Sequence, residues 1–180
     1  MEFTEVIKNR RSIRKYTDQP VTREDLEKII DLTRFAPSWK NSQTSRFYAI
    51  LTPELKNQIA EEGTCDFSKN KLNIQNAPAL VIQTTVNQIA GYEKDGTFTT
   101  SKGTHWQSFD AGIACQTFCL NAYNMGFGTL IMGIFDQEKI RNLISLPENE
   151  SISALIAIGC PAENPNAPKR KERSEIMQII

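Results

Sequence analysis

Apolar positions recur along the chain with two periods, and the switches between them outline the elements. Phe3, Val6 and Ile7 fall at i, i+3 and i+4, which predicts a short first helix ending near Asn9 or Arg10. "VTREDLEKIIDLTRFAP" repeats the helical spacing through Leu26, Ile29, Ile30 and Thr33. Thr22 with Asp25 reads as its N-terminal cap and Pro37 as its stop. A polar loop, 37–45, leads to "RFYAILT", a strand by composition. "TPELKNQIAEEG" is a helix opened by Pro53 and closed by Gly63, and residues 64–77 show little regularity. "PALVIQTTV" predicts a second, central strand, and 87–104 a long excursion. In "SFDAGIACQTFCLNAYNMG" apolar residues cover most of a helix's circumference, which predicts burial on several sides. "FGTLIMGI" and "SISALIAIG" are the third and fourth strands, with a short helix between them capped by Asp136 and running through Leu143. The tail is rich in Pro and Asn, then basic, and ends in an apolar "EIMQII". Helices first, then strands and helices mixed, predict an α+β sandwich around one sheet.

Composition narrows the function. The 180 residues carry 21 Lys and Arg against 21 Asp and Glu, so bulk electrostatics do not favour nucleic acid. The length suits one domain. The N-terminal segment is not patterned as a secretory signal, and no apolar run reaches a membrane span of about 20 residues. Cys65, Cys115, Cys119 and Cys160 form no C-x-x-C motif and have no neighbouring His, so they read as reduced, mostly buried thiols of a cytoplasmic protein.

Several chemistries are poorly served. His105 is the one histidine, which excludes a multi-His metal site within one chain. In "GFGTLIMG" the glycines follow a helix and precede a strand, the reverse of a dinucleotide-binding turn, and Ile134-Phe135 stands where a P-loop needs Lys-Ser/Thr. A bound phosphate would therefore rest on side-chain cations. Two clusters offer them: Arg10, Arg11, Arg14 and Lys15 in "NRRSIRKY", and Lys169, Arg170, Lys171 and Arg173 near the other end. Arg forks two N–H bonds onto a phosphate and a neighbouring Ser hydroxyl adds a third. Composition alone leaves open whether these clusters form an anion site or solvated faces.

"NRRSIRKY" followed by an amphipathic helix, "FAPSWKNSQTSRFYAI", "DAGIACQTFCLNAYNMGFGTLIMGIFDQEKIRNLISLP", "ALIAIGCP" and "PKRK" resemble, in that order, the nitroreductase family of FMN-dependent oxidoreductases. The resemblance covers nearly the whole chain. It implies a single nitroreductase-like FMN-binding domain over 1–180, with a mixed or antiparallel sheet of four to five strands flanked by helices. It also implies a domain-swapped homodimer, whose tail from about 161 to 180 reaches the partner and whose two FMN molecules lie between subunits. By position, Arg10 and Ser12 would hold the FMN phosphate. Arg11 would lie along the ribityl and phosphate, and Arg14 would reach the N1–C2=O edge of the ring. Pro37, Ser38, Trp39, Asn41 and Gln43 match a second stretch that reaches the other subunit's flavin, with Trp39 standing where a small residue is usual. Asn70 and Asn73 fall near positions that bind the pyrimidine edge. Met132, Gly133 and Ile134 match a segment whose backbone lies against the ring. Lys169 and Lys171 align with the tail's phosphate-binding cations, the second often an Arg.

The activity implied by this resemblance is hydride transfer from NADH or NADPH to flavin N5, then reduction of a nitroaromatic, quinone or other flat acceptor in a ping-pong cycle. Flavin carries the electronic chemistry, so no catalytic side chain is required. A specialised flavin reductase or dehalogenase on the same fold, or an FMN-binding carrier, sensor or partner-binding protein without turnover, are the alternatives.

Overall fold

The computed structural model describes residues 2–180. Helix α1 (Phe3–Asn9) leads through the basic strip to α2 (Arg23–Thr33), a single helical turn (Trp39–Asn41) and strand β1 (Ser45–Ile50). Helices α3 (Pro53–Glu62) and α4 (Ser68–Asn76), strand β2 (Ala79–Val86) and helix α5 (His105–Asn124) follow. The chain ends with β3 (Gly128–Met132), α6 (Gln137–Ile144), β4 (Glu150–Gly159) and a short α7 (Arg173–Ile176).

The strands form one sheet in the order β1-β2-β4-β3, and every pair is antiparallel. Helices cover both faces. On one, Ile59, Ile74 and Ile140 pack over Leu80, Ile82, Leu130 and Leu155; on the other, Leu26, Ile29, Phe118 and Cys119 pack over Val81, Ile156 and Ile158. This double cover explains why β2 and β4 read as almost unbroken apolar runs rather than alternating ones.

Local chemistry accounts for most element ends. Thr22 and Asp25 make the reciprocal capping box, each side chain accepting from the other's backbone N–H, and Asp136 accepts from Lys139 N–H to start α6. Three details differ from the sequence reading. Helix α2 stops at Thr33, four residues before Pro37, because the chain must turn into the 37–45 loop. Residues 68–76, read as irregular, are α4, whose buried positions are Asn70 and Ile74. Its weak apolar stripe hid it, and a buried ammonium supports its end: Lys56 Nζ donates to the carbonyls of Gln75 and Ala77 at 2.9 and 2.5 Å. Helix α5 starts at His105, before the "SFDAG" that the sequence reads as its start, and His105 is exposed. Within one copy α5 buries Ala111, Ala114, Cys115, Phe118, Cys119 and Ala122, while Phe109 remains 55% exposed.

Candidate functional site

The basic strip is held as an extra partial strand. Ser12 bridges Thr129 of β3 in parallel, and Ile13 N–H donates to Thr129 O at 3.0 Å. Ile13 drops into the core against Gly128, where an added Cβ would meet Ile13 Cγ1 at 2.5 Å. Gly128 is therefore required for the strip to lie this close. On its other side the strip meets the start of the tail: Ala162 N–H donates to Lys15 O and Thr17 N–H to Cys160 O, both at 2.9 Å. Glu163 completes the seam, its Oε1 accepting from the backbone N–H of Arg14 at 2.6 Å and of Lys15 at 3.2 Å. Tyr16 hydroxyl donates to Ile13 O at 2.7 Å, and burial, then the Glu163 charge, push its phenol well up.

This backbone leaves the cations available. Arg10 caps α1 with its N–H while, among the described residues, its guanidinium and the Ser12 hydroxyl have no hydrogen-bond partner. Arg11 Nη1 donates to Lys8 O and Arg10 O, and its Nε is buried without a partner. Arg14 is exposed, with one long bond to Ser12 O at 3.3 Å. The Cys115 thiol beneath is pushed up by its hydrogen bond to Cys119 and by burial, with Arg10 opposing weakly, so it stays protonated.

The far end of β3 brings in two more predicted stretches. Met132 packs its side chain in the core, whereas Gly133 and Ile134 lie exposed beyond the strand end. Space is open where a Gly133 Cβ would be. The buried Asn70 amide donates to Ile134 O at 3.0 Å, tying α4 to this segment, and Asn73, one turn on, is half-buried. A cavity of about 420 Å³ opens nearby between α5 and the sheet, bordered by Gln83, Cys115, Gln116, Ile131 and Ser153.

Pro37, Ser38, Trp39, Asn41 and Gln43 lie elsewhere. Their loop runs into β1, the sheet edge opposite β3, so within one chain the structure does not join them to the strip. One helical turn, closed by Asn41 N–H to Ser38 O at 3.0 Å and Ser42 N–H to Trp39 O at 2.8 Å, and several side chains hold this loop. Ser38 Oγ accepts from Gln43 N–H at 2.9 Å, and the buried Asp110 accepts from Trp39 N–H at 2.8 Å. Burial pushes the Asp110 carboxyl up, and the Trp39 N–H opposes this. Lys40, Asn41 and Gln43 adopt left-handed backbone at φ 45°, 56° and 50°. The Trp39 indole meets Trp106 with ring centroids 4.6 Å apart, and Trp106 meets Phe109 edge-on at 5.4 Å. Lys169 and Lys171 are exposed outside any helix or strand, with no hydrogen bond to the strip among the described residues.

Sequence reasoning missed Asp110, Glu163 and the indole pair as organisers. A lone acid in the apolar run "SFDAGIAC" is a signal of a bonded carboxylate; "CPAEN" carries no comparable signal. Among the described residues no helix is long and apolar enough to cross a membrane, and no cluster of three or more His, Cys, Asp or Glu could hold a metal.

The chain is similar to known proteins over most of its length. A nitroreductase family protein of known crystal structure from Clostridium novyi NT is 32% identical, with a TM-score of 0.77 over 93% of this chain and 89% of that one. A Methanothermobacter thermautotrophicus protein, provisionally named NADH dehydrogenase/NAD(P)H nitroreductase, is 30% identical over 92% of this chain and 80% of its own length. The fold is shared with the NADPH:FMN oxidoreductase of Vibrio harveyi, solved with NAD+, at 23% identity and a TM-score of 0.81 over 98% of this chain and 76% of that one. The model of the Nitroreductase family matches residues 7–160, and the chain belongs to that family.

Proposed function

We propose that the chain is an NAD(P)H-dependent oxidoreductase that holds FMN along the β3 edge and reduces flat acceptors such as nitroaromatics and quinones. The observation that carries this reading is the strip itself. Ser12 bridges β3 between Arg10 and Arg14, the Arg10 guanidinium and the Ser12 hydroxyl are without partners among the described residues, Arg14 makes one long bond, and Asn70 and Gly133 stand at the strand's far end.

The residues present fit FMN. The buried, unpartnered Nε of Arg11 and the bare backbone at Gly133 suit a ligand with an anionic end and a planar end. Arg10 and Ser12 would bind the phosphate, helped by Arg11 and by the tail cations Lys169 and Lys171. Arg14 would place a fixed positive charge at the ring edge where negative charge develops on reduction. Asn70, fixed by Ile134 O, and Asn73 would present amides to the pyrimidine side, and the Met132–Ile134 backbone would back the ring. The chemistry supplied by bound FMN is hydride uptake from NADH or NADPH and delivery of the electrons to an acceptor.

The working unit in this reading is a homodimer. The strip and the Pro37–Gln43 loop lie on opposite edges of the sheet, so both can serve one ligand only if two chains contribute. Exposed apolar groups accord with this: Phe109, Ile131 and Ile134 on the body, and Ile176, Met177, Ile179 and Ile180 in the tail.

An absorption spectrum of the purified protein, before and after anaerobic NADH or NADPH, tests the reading. A flavin spectrum bleached by either nucleotide is expected. A yellow protein that neither nucleotide bleaches points instead to a carrier or sensor, and a colourless one that FMN cannot reconstitute sinks the flavin assignment. Sedimentation should give twice the chain mass.

A further inference from the structure

We propose that Trp39 and Trp106, flanked by Lys40 and Lys102, form a binding platform for flat aromatic molecules bearing an anionic group, and that it selects such molecules as acceptors. Selection rests on the flavin reading above; binding does not.

The platform is built, not incidental. Trp39 is fixed through its N–H to the buried Asp110 carboxylate, within a loop holding three left-handed residues. Trp106 is fixed twice. Its Nε1 donates to Thr100 Oγ1 at 2.8 Å, and Gly91, at φ 85°, lies so close that a Cβ there would meet the Trp106 side chain at 2.9 Å. The indoles meet at 47°, not flat against one another, and the exposed Phe109 ring extends the aromatic surface. Rigid aromatic area of this kind lowers the entropic cost of binding a planar ligand.

Charge sets the class of ligand. Lys40 Nζ stands 5.5 Å from the Trp39 ring centroid, and Lys102 Nζ the same distance from that of Trp106. Each ammonium is held over its ring by a cation–π attraction of modest strength, so an entering ring can displace it and keep it as the partner of its own anionic substituent. Glu93 offsets part of this charge, pairing with Lys40 at 3.8 Å on an exposed surface, whereas no carboxylate pairs with Lys102 among the described residues. A cationic ring would meet two like charges.

Trp39 and Trp106 are the chain's two tryptophans, so intrinsic fluorescence reads the platform directly. The holoprotein is titrated with benzoate, benzamide and benzylamine, none of which takes electrons. Benzoate should quench at the lowest concentration and benzylamine not at all. In Lys40→Gln and Lys102→Gln the benzoate preference should fall about threefold per lysine, within the range of exposed charge pairs, and in the double variant it should vanish. Trp39→Phe and Trp106→Phe report whether the quench arises here. Equal affinity for benzoate and benzamide, or a preference unchanged in the double variant, overturns the binding proposal.

A second arm follows reoxidation of dithionite-reduced holoprotein by nitrobenzoate and nitrobenzamide. Faster reoxidation by nitrobenzoate, lost in the double variant, supports selection. Binding in the first arm with no kinetic preference in the second overturns selection alone. Failure of the protein to retain flavin defeats the function proposed above and leaves the fluorescence result standing.

Discussion

The Arg10–Lys15 strip and the Pro37–Gln43 loop both carry predicted ligand contacts, but they are shaped by opposite means. The strip is positioned by backbone: a bridge to β3, bonds to the start of the tail, and one carboxylate that accepts two of its N–H groups. Its side chains are largely spared structural duty. The loop has no ladder beyond one helical turn; a serine, a buried aspartate and an indole pair hold the rest of it, and three residues sit in left-handed backbone. A region held by its backbone can change side chains at little cost to folding, whereas in the loop side chains are the scaffold.

The sharpest way to break the contrast is to attack the strip through its backbone seat. Gly128→Val sets a side chain into Ile13 and should cost about 3 kcal/mol, the upper range for overpacking, with loss of flavin. Chemical denaturation with cofactor retention measures both. Next, Asp110→Ala should cost about 2 kcal/mol by leaving the Trp39 N–H unpaired, and should change tryptophan fluorescence. By contrast, Arg10→Ala or Ser12→Ala should move stability by about 0.5 kcal/mol or less, yet weaken FMN binding about tenfold or more, read by flavin titration. Loss of fold with affinity intact would erase the comparison.

A pH series sharpens it further. The Asp110 carboxyl is raised by burial, so its contribution to stability is full below the ordinary aspartate range and is lost as pH climbs through its raised value. Denaturation midpoints of Asp110→Asn, whose amide oxygen can still accept from Trp39 N–H, should lose less stability than the parent across that climb. Smallest of all, Gln43→Gly should relieve left-handed backbone and stabilise by less than about 1 kcal/mol.

What was legible in the sequence follows the range of the interaction that fixes it. The Thr22–Asp25 cap joins neighbours three residues apart, and pattern alone found it. Helix α4 escaped because Asn70, one of its two buried positions, is polar and its partner, Ile134, lies 64 residues away. Asp110 and Glu163 reach across 71 and 149 residues: the apolar run around Asp110 signals that it is bonded but not to what, and nothing local signals Glu163. The strip could be named residue by residue only through its resemblance to the nitroreductase family, since charge alone left it open between an anion site and a solvated face. Its placement against Gly128 could not, because an intervening sheet supplies it.

The seam that joins Pro161–Glu163 to Lys15–Thr17 also fixes where the tail leaves the body. From that anchor Lys169 is six residues away, a leash of roughly 20 Å at full extension. Pro165 and Pro168 stiffen it, so it behaves as a spacer more than a coil. The two tail lysines are thus confined to a shell whose radius is set by the 164–168 segment, and their local concentration is a property of that spacer. Length and stiffness there, more than the chemistry of either lysine, govern how often a tail cation meets an anion within its reach.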